Sequence, residues 1–72
     1  MKNVLTNADV TRMYRYMRLR DVTTSELCRE LNIDYPCFKA MVDGKQPCYN
    51  KWQKKISEVL RIDRVELFGG VK

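Results

Sequence analysis

Apolar residues recur along the chain at the spacing that places side chains on one face of an α-helix. Five stretches follow this spacing and predict five helices, built on Val10, Met13, Tyr14 and Met17; Leu27, Cys28 and Leu31; Phe38, Met41 and Val42; Trp52, Ile56, Val59 and Leu60; and Val65, Leu67 and Phe68. No stretch of useful length alternates apolar and polar residues as a strand does, and no segment is repeated. The pattern predicts an all-α domain with a core of Met13, Met17, Leu27, Leu31, Phe38, Met41, Trp52, Ile56, Leu60 and Leu67.

The stretch 23–44 carries the strongest helix-boundary signals. Thr23 is a good N-cap, and Glu26 three residues later can complete a capping box. We expect a sharp turn at Asn32, because asparagine tolerates the left-handed conformation. Asp34 is expected to cap the next helix. Two short helices joined by a tight turn have the shape of a helix-turn-helix.

Other residues are typical of helix ends. Pro36 fits the first turn of the third helix, where a missing N–H costs little, and Gly44 is expected to end that helix. Further boundaries are expected at Thr6 or Asn7, at Asn50 or a neighbour, at Asp63 and at Gly69-Gly70. Residues 1–5 carry no strong signal, and we expect them to form a leader that is either ordered or frayed.

Length and charge limit the function. A chain of 72 residues forms one domain, 1–72, with one small core. It has 14 lysines and arginines against 9 acidic residues, a net charge of +5. This balance suits a polyanionic partner, although many small domains are basic for solubility alone. No run is long enough to span a membrane and no signal peptide follows Met1, so a soluble, intracellular protein is expected.

The chain lacks the residues that most metal sites and many enzymes use. It has no histidine, and its cysteines are Cys28, Cys37 and Cys48, an odd number without a C-x-x-C pair. A structural zinc site needs four ligands at close spacing. We therefore expect no metal, no cofactor and no disulfide, and we interpret Cys28 and Cys37 as small buried apolar residues. No phosphate loop or convergent pair of carboxylates is evident, so catalysis is not expected.

From about Val10 to Phe68 the chain resembles the phage repressor and Cro-like (λ repressor-like) helix-turn-helix domains. Cys28 stands at the family's small alanine and Asn32 at its turn glycine. The family's cap, core and stop positions are matched by Thr23, Glu26, Leu27, Leu31, Ile33, Phe38 and Gly44, and its C-terminal pattern by Ile56, Leu60, Ile62, Asp63, Leu67 and Phe68. The resemblance implies a five-helix DNA-binding domain with the helix-turn-helix at helices 2 and 3.

The chain departs from this family in two places. Many members pair an arginine late in the first helix with a glutamate near the end of the third, where this chain has Met17 and Val42. Replacing both partners by apolar residues can be neutral or stabilising. The start of the third helix, which usually presents polar groups to base edges, carries Tyr35, Pro36 and Lys39. Of these, Lys39 is the side chain suited to a guanine or a phosphate.

The resemblance implies a sequence-specific transcriptional regulator of a phage or mobile element, acting on a double-stranded DNA operator in the bacterial cytoplasm, as a monomer or a homodimer. The recognition helix would enter the major groove. The candidate DNA-binding residues are Thr24, Ser25, Tyr35, Pro36, Lys39, Lys45, Gln46, Asn50 and Lys51. Thr24 and Ser25 would contact phosphates, and the last four would hold the backbone beside the groove. Taken singly, each residue also has an ordinary structural or solvent-exposed interpretation.

A second hypothesis keeps the fold and changes the partner. Some temperate-phage regulators of this shape act as antirepressors by binding the repressor protein. Aromatic side chains anchor protein interfaces, and the residues that favour such a contact are Tyr35, Pro36, Tyr49, Trp52, Asp34 and Asp43.

Overall fold

The computed structural model describes residues 4–68. It contains five α-helices: α1, Asn7–Leu19; α2, Thr24–Leu31; α3, Tyr35–Val42; α4, Asn50–Leu60; and α5, Arg64–Leu67. No residue of this range lies in a strand. The all-α architecture expected from the apolar spacing is therefore confirmed, and α2 packs against both α3 and α4.

Local side chains begin four of the five helices. Thr6 and Asp9 form a capping box on α1, and Thr23 and Glu26 form the expected one on α2, each with both backbone N–H groups bound at 3.1 Å. Asp34 accepts from the Cys37 N–H at 3.1 Å, and Asp63 caps α5. The exception is α4, where Tyr49 stands at the N-cap without a side-chain hydrogen bond and Asn50 is the first helical residue.

The first four helices end in the same backbone conformation. A residue with positive φ follows each helix, namely Asp21, Asn32, Gly44 and Arg61. After α3, the Gly44 N–H donates to the Met41 carbonyl and the Lys45 N–H donates to the Ala40 carbonyl, which is the Schellman pattern. The turns at Asn32 and Gly44 agree with the expectation from sequence. Those at Asp21 and Arg61 were not predicted; aspartate tolerates this conformation better than most residues do, whereas arginine has no such preference.

The core joins all five helices. Its buried apolar residues are Leu5, Met13, Met17, Leu27, Cys28, Leu31, Phe38, Met41, Cys48, Ile56, Leu60, Leu67 and Phe68. This set contains every expected core residue except Trp52, which is half-buried against it. Leu5 is buried, so this end of the leader packs on the core. The helical spacing placed Tyr14 and Val65 on the apolar faces of their helices, but both side chains are exposed. Cys37, expected to be buried, is half-buried.

Arg12 of α1 and Arg20 at its C-cap link this helix to the ends of α5 and α4. The Arg12 guanidinium bonds to the fully buried Asp9 carboxylate, and its Nε donates to the Leu67 carbonyl at 3.2 Å. The Arg20 Nε donates to the Leu60 carbonyl at 2.8 Å. These bonds satisfy carbonyls at the C-terminal ends of α5 and α4, where helices lack internal donors.

Two sequence expectations concern particular places in this fold. Met17 is buried and Val42 packs half-buried against the same core, as an apolar replacement of a charge pair requires; a direct contact between them remains a prediction. The expected helix end at Gly69-Gly70 lies outside the described residues, and α5 ends at Leu67. Between residues 4 and 68, no helix is both long enough and apolar enough to cross a bilayer.

Candidate nucleic-acid interface

Helix α3 has one buried face and one exposed face. Phe38 and Met41 are fully buried, whereas Tyr35, Pro36 and Lys39 are exposed, with 57% of Tyr35 accessible. The buried pair fixes the helix on the core, and the exposed residues occupy its first turn and a half. This face is therefore rigidly supported and available to a partner.

The first turn of α2 lies at the surface and has mixed electrostatics. Ser25 is exposed and Thr24 half-buried, and the first N–H groups of a helix have no internal acceptor. Such N–H groups attract phosphate. Glu26 is in the same turn, where hydrogen bonds from the Thr23 N–H and hydroxyl hold the pKa of its carboxyl below the usual 4.5. Its charge therefore weakens the attraction of this helix end for an anion.

Lys39 is not an unpaired cation. Its Nζ lies 3.3 Å from the Asp43 carboxylate, one turn further along α3, and both side chains are partly exposed. Exposed pairs of this kind contribute little to stability and exchange readily with solvent. Lys39 can therefore donate to a ligand, but Asp43 remains beside it and places a negative charge near any bound phosphate.

Gln46 is engaged inside the protein. Its side-chain nitrogen donates to the Cys37 carbonyl at 3.1 Å and lies 2.9 Å from the Cys37 sulfur. These contacts attach the loop after α3 to the helix. The expected contact from Gln46 to the DNA backbone would therefore require these bonds to be shared or broken.

The start of α4 presents cations next to aromatic rings. Lys45, Asn50 and Lys51 are all exposed. The Lys51 Nζ lies 5.8 Å from the centre of the Trp52 ring. The centre of the Tyr49 ring lies 5.0 Å from the centre of the Trp52 ring, and the two ring planes are tilted by 56°. This segment carries the basic and aromatic side chains that both functional hypotheses need.

A shallow groove separates α2 from α4. Its volume is about 230 Å³, and Glu30, Leu31, Lys51, Trp52 and Lys55 line it. The Lys55 Nζ lies 3.8 Å from Glu30, so one of its two lysines is partly neutralised. The groove is continuous with the exposed start of α4.

The outer face of α1 lies beside the exposed surface of α3. The family resemblance assigns no function to this face. Burial raises the pKa of Tyr14, and the nearby Tyr35 hydroxyl acts in the same direction. Thr11, Tyr14, Arg15 and Arg18 line a groove of about 350 Å³ here. The sequence signal was available, because these residues recur at helical spacing on the side away from Met13 and Met17.

No family model, curated protein or solved structure matches this chain. Within residues 4–68, no group of three or more cysteines, aspartates or glutamates is placed to hold a metal ion. The cysteines of this range form no disulfide, and Cys28 and Cys48 are buried.

Proposed function

We propose that this protein is a sequence-specific DNA-binding transcriptional regulator of λ repressor-like type, in which α2 and α3 form the helix-turn-helix. The observation that carries the proposal is the two-faced α3, which is held on the core by Phe38 and Met41 and exposes Tyr35, Pro36 and Lys39. A supported helix with a free face can enter the major groove. A phage or mobile element is the proposed source, and an operator in the bacterial cytoplasm the proposed target.

The proposed contacts divide by chemistry. Lys39 is the long donor of the exposed face, and an amine there can reach guanine acceptors. Ser25 and Thr24 at the start of α2, with Lys45, Asn50 and Lys51 beyond α3, supply sequence-independent contacts to phosphates. Contacts of this second kind make binding strongly dependent on salt.

A second candidate function is binding of a phage repressor protein by the same face. Two observations favour it: the Lys39 amine is paired with Asp43, and the Gln46 amide is bound to Cys37. Both reduce the number of free donors for base edges. The most exposed aromatic side chain on this face is Tyr35, and aromatic side chains of this kind anchor protein interfaces.

One titration separates the two functions. The titration uses two ligands at two salt concentrations: duplex DNA from the genetic switch region that adjoins the gene of this protein, and the repressor encoded in that region. The proteins titrated are wild type, Tyr35→Ala, Lys39→Ala, Lys45→Ala and Lys51→Ala. DNA binding requires that Lys39→Ala broaden sequence preference, while the other lysine variants weaken all sequences alike and each flatten the salt slope by about one.

The opposite result identifies the protein partner. Tight repressor binding that is lost in Tyr35→Ala, together with DNA affinity no better than nonspecific, would overturn the DNA proposal. In that case the lysine variants should change mainly the association rate and its salt dependence, because peripheral charges steer encounter.

A further inference from the structure

The outer face of α1 bears a polar stripe that takes no part in the core. Thr11, Tyr14, Arg15 and Arg18 follow the i, i+3, i+4, i+7 spacing of one helix face, and all four are exposed. They are the residues that line the groove of about 350 Å³ on this helix. No carboxylate is among them, in contrast to α3, where Asp43 lies beside Lys39.

The three arginines of α1 and the arginine at its C-cap, Arg20, have different roles. Arg12 and Arg20 donate to carbonyls of distant helix ends and so hold the fold together. The side chains of Arg15 and Arg18 make no hydrogen bond or ion pair with any residue from 4 to 68. Two guanidinium groups one turn apart, without a structural role in this range, form a compact positive site. A planar guanidinium suits phosphate because it can donate two parallel N–H bonds.

The stripe adjoins the exposed face of α3. Tyr14 lies near enough to Tyr35, Lys39 and Asp43 for each of them to influence its pKa. A duplex lying against Tyr35 and Lys39 would therefore pass close to Tyr14, with Arg15 and Arg18 on the same side of α1. Like any tyrosine, Tyr14 is protonated near neutral pH, and its hydroxyl can donate a hydrogen bond.

We propose that this stripe on α1 is a second phosphate-binding surface, at which Arg15 and Arg18 each neutralise one phosphate of the DNA backbone beside α3. The inference rests on the proposed DNA binding and extends it to an element outside α2 and α3. Thr11 and Tyr14 supply hydroxyl donors to the same strand. Charge complementarity points to this occupant, since the four side chains of the stripe are donors and cations. Asp43 of α3 is a carboxylate near its Tyr14 end, so the two arginines supply the attraction.

The test is a salt titration with a mixed-sequence DNA duplex several helical turns long. The variants are Arg15→Ala/Arg18→Ala, the charge-preserving Arg15→Lys/Arg18→Lys, and the control Arg29→Ala/Arg64→Ala. The control removes the same charge from exposed positions on α2 and α5. Loss of two phosphate contacts should reduce the magnitude of the slope of log K against log salt by about two. The lysine variant should keep most of the slope, and the control should keep all of it. Circular dichroism confirms that each variant is folded.

Each contrary result has a distinct meaning. Equal slopes for wild type and Arg15→Ala/Arg18→Ala would overturn this inference and leave the proposed function standing. Equal losses in that variant and in the control would also overturn it, because net charge alone would then account for the effect. A wild type that binds no duplex overturns the proposed function and this inference together. Binding of polyglutamate through the same arginines, as tightly as the duplex, would identify an acidic protein as the occupant and overturn the DNA assignment.

Discussion

Phe38 is the residue on which the position of α3 most depends. Its side chain is fully buried, and it lies between the exposed Tyr35 and Lys39 in sequence. A large aromatic ring that is removed from water contributes much of the burial free energy of a small core. The exposed face of α3 is therefore only as well placed as the packing of Phe38 beneath it.

Phe38→Ala should lower the free energy of unfolding by about 3 to 5 kcal/mol, because it removes a fully buried ring and leaves a cavity. In a domain of this size the loss approaches the whole stability. The measurement is urea unfolding followed by circular dichroism. Val65→Ala is the matched control, since 71% of Val65 is exposed and its truncation should change the midpoint little. Equal midpoints for the two variants would show that Phe38 is not the centre of the core.

Cys48 gives the fold a dependence on alkaline pH. Burial, and secondarily the nearby Asp9 carboxylate, raises the pKa of its thiol from 9.0 to about 12. Because the folded pKa exceeds the unfolded one, this contribution to stability is complete below about pH 9 and is lost as the pH rises through about 12. Unfolding free energies measured across this window should fall more steeply for wild type than for Cys48→Ala. Parallel curves for the two proteins would contradict the prediction.

Among the elements, α1 is the helix whose arginine side chains, with that of its C-cap, bond to the ends of two other helices. Its two buried methionines face the core, and Arg12 and Arg20 reach α5 and the end of α4. Helices this short are marginal alone, so α5 in particular depends on such tertiary contacts. The side chains of Arg15 and Arg18 make no such bond to residues 4–68 and can therefore contact a partner.

Arg12→Ala should destabilise the protein by about 1 to 3 kcal/mol, because it leaves the buried Asp9 carboxylate without its cation and the Leu67 carbonyl without its donor. Arg15→Ala, on the same helix, is the control and should stay within about 0.5 kcal/mol of wild type. Adding Asp9→Asn to Arg12→Ala should recover part of the loss, since the unpaired buried charge is gone. Thermal unfolding of the four proteins decides the matter, and similar losses in both arginine variants would contradict the assigned roles.

The contact expected between α1 and α3 can be tested through Met17 and Val42. Met17→Arg should cost about 1 to 3 kcal/mol by placing an unpaired charge in the buried Met17 position. Adding Val42→Glu should restore part of that stability by supplying the partner. The double-mutant cycle measures the coupling directly. A coupling energy of zero would show that the two positions are not neighbours.

At the scale of the whole molecule, local signals predicted more than distant ones. Thr23, Asn32 and Asp34 act within a few residues, so their caps and turn could be read from the sequence. The bond from Arg12 to the Leu67 carbonyl spans 55 residues, and no local pattern specifies it. The same distinction applies to the candidate site. The exposure of Tyr35 follows from helical spacing, whereas the engagement of Gln46 depends on a loop conformation that no periodicity encodes.

The final prediction concerns the stability of the whole domain in the presence of its ligand. A ligand that binds only the folded state stabilises it by mass action, by about 2.7 kcal/mol at one hundred times the dissociation constant. We expect a mixed-sequence duplex to raise the thermal midpoint, and this rise to shrink as salt is added, because the released counterions then oppose binding. Lys45→Ala/Lys51→Ala should reduce the rise, whereas Arg29→Ala/Arg64→Ala, which removes the same charge elsewhere, should not. Circular dichroism melts with and without duplex supply the measurement. The contrary result is a wild-type thermal midpoint that the duplex leaves unchanged and the purified repressor raises. It would show that the exposed face of α3 binds protein and not nucleic acid.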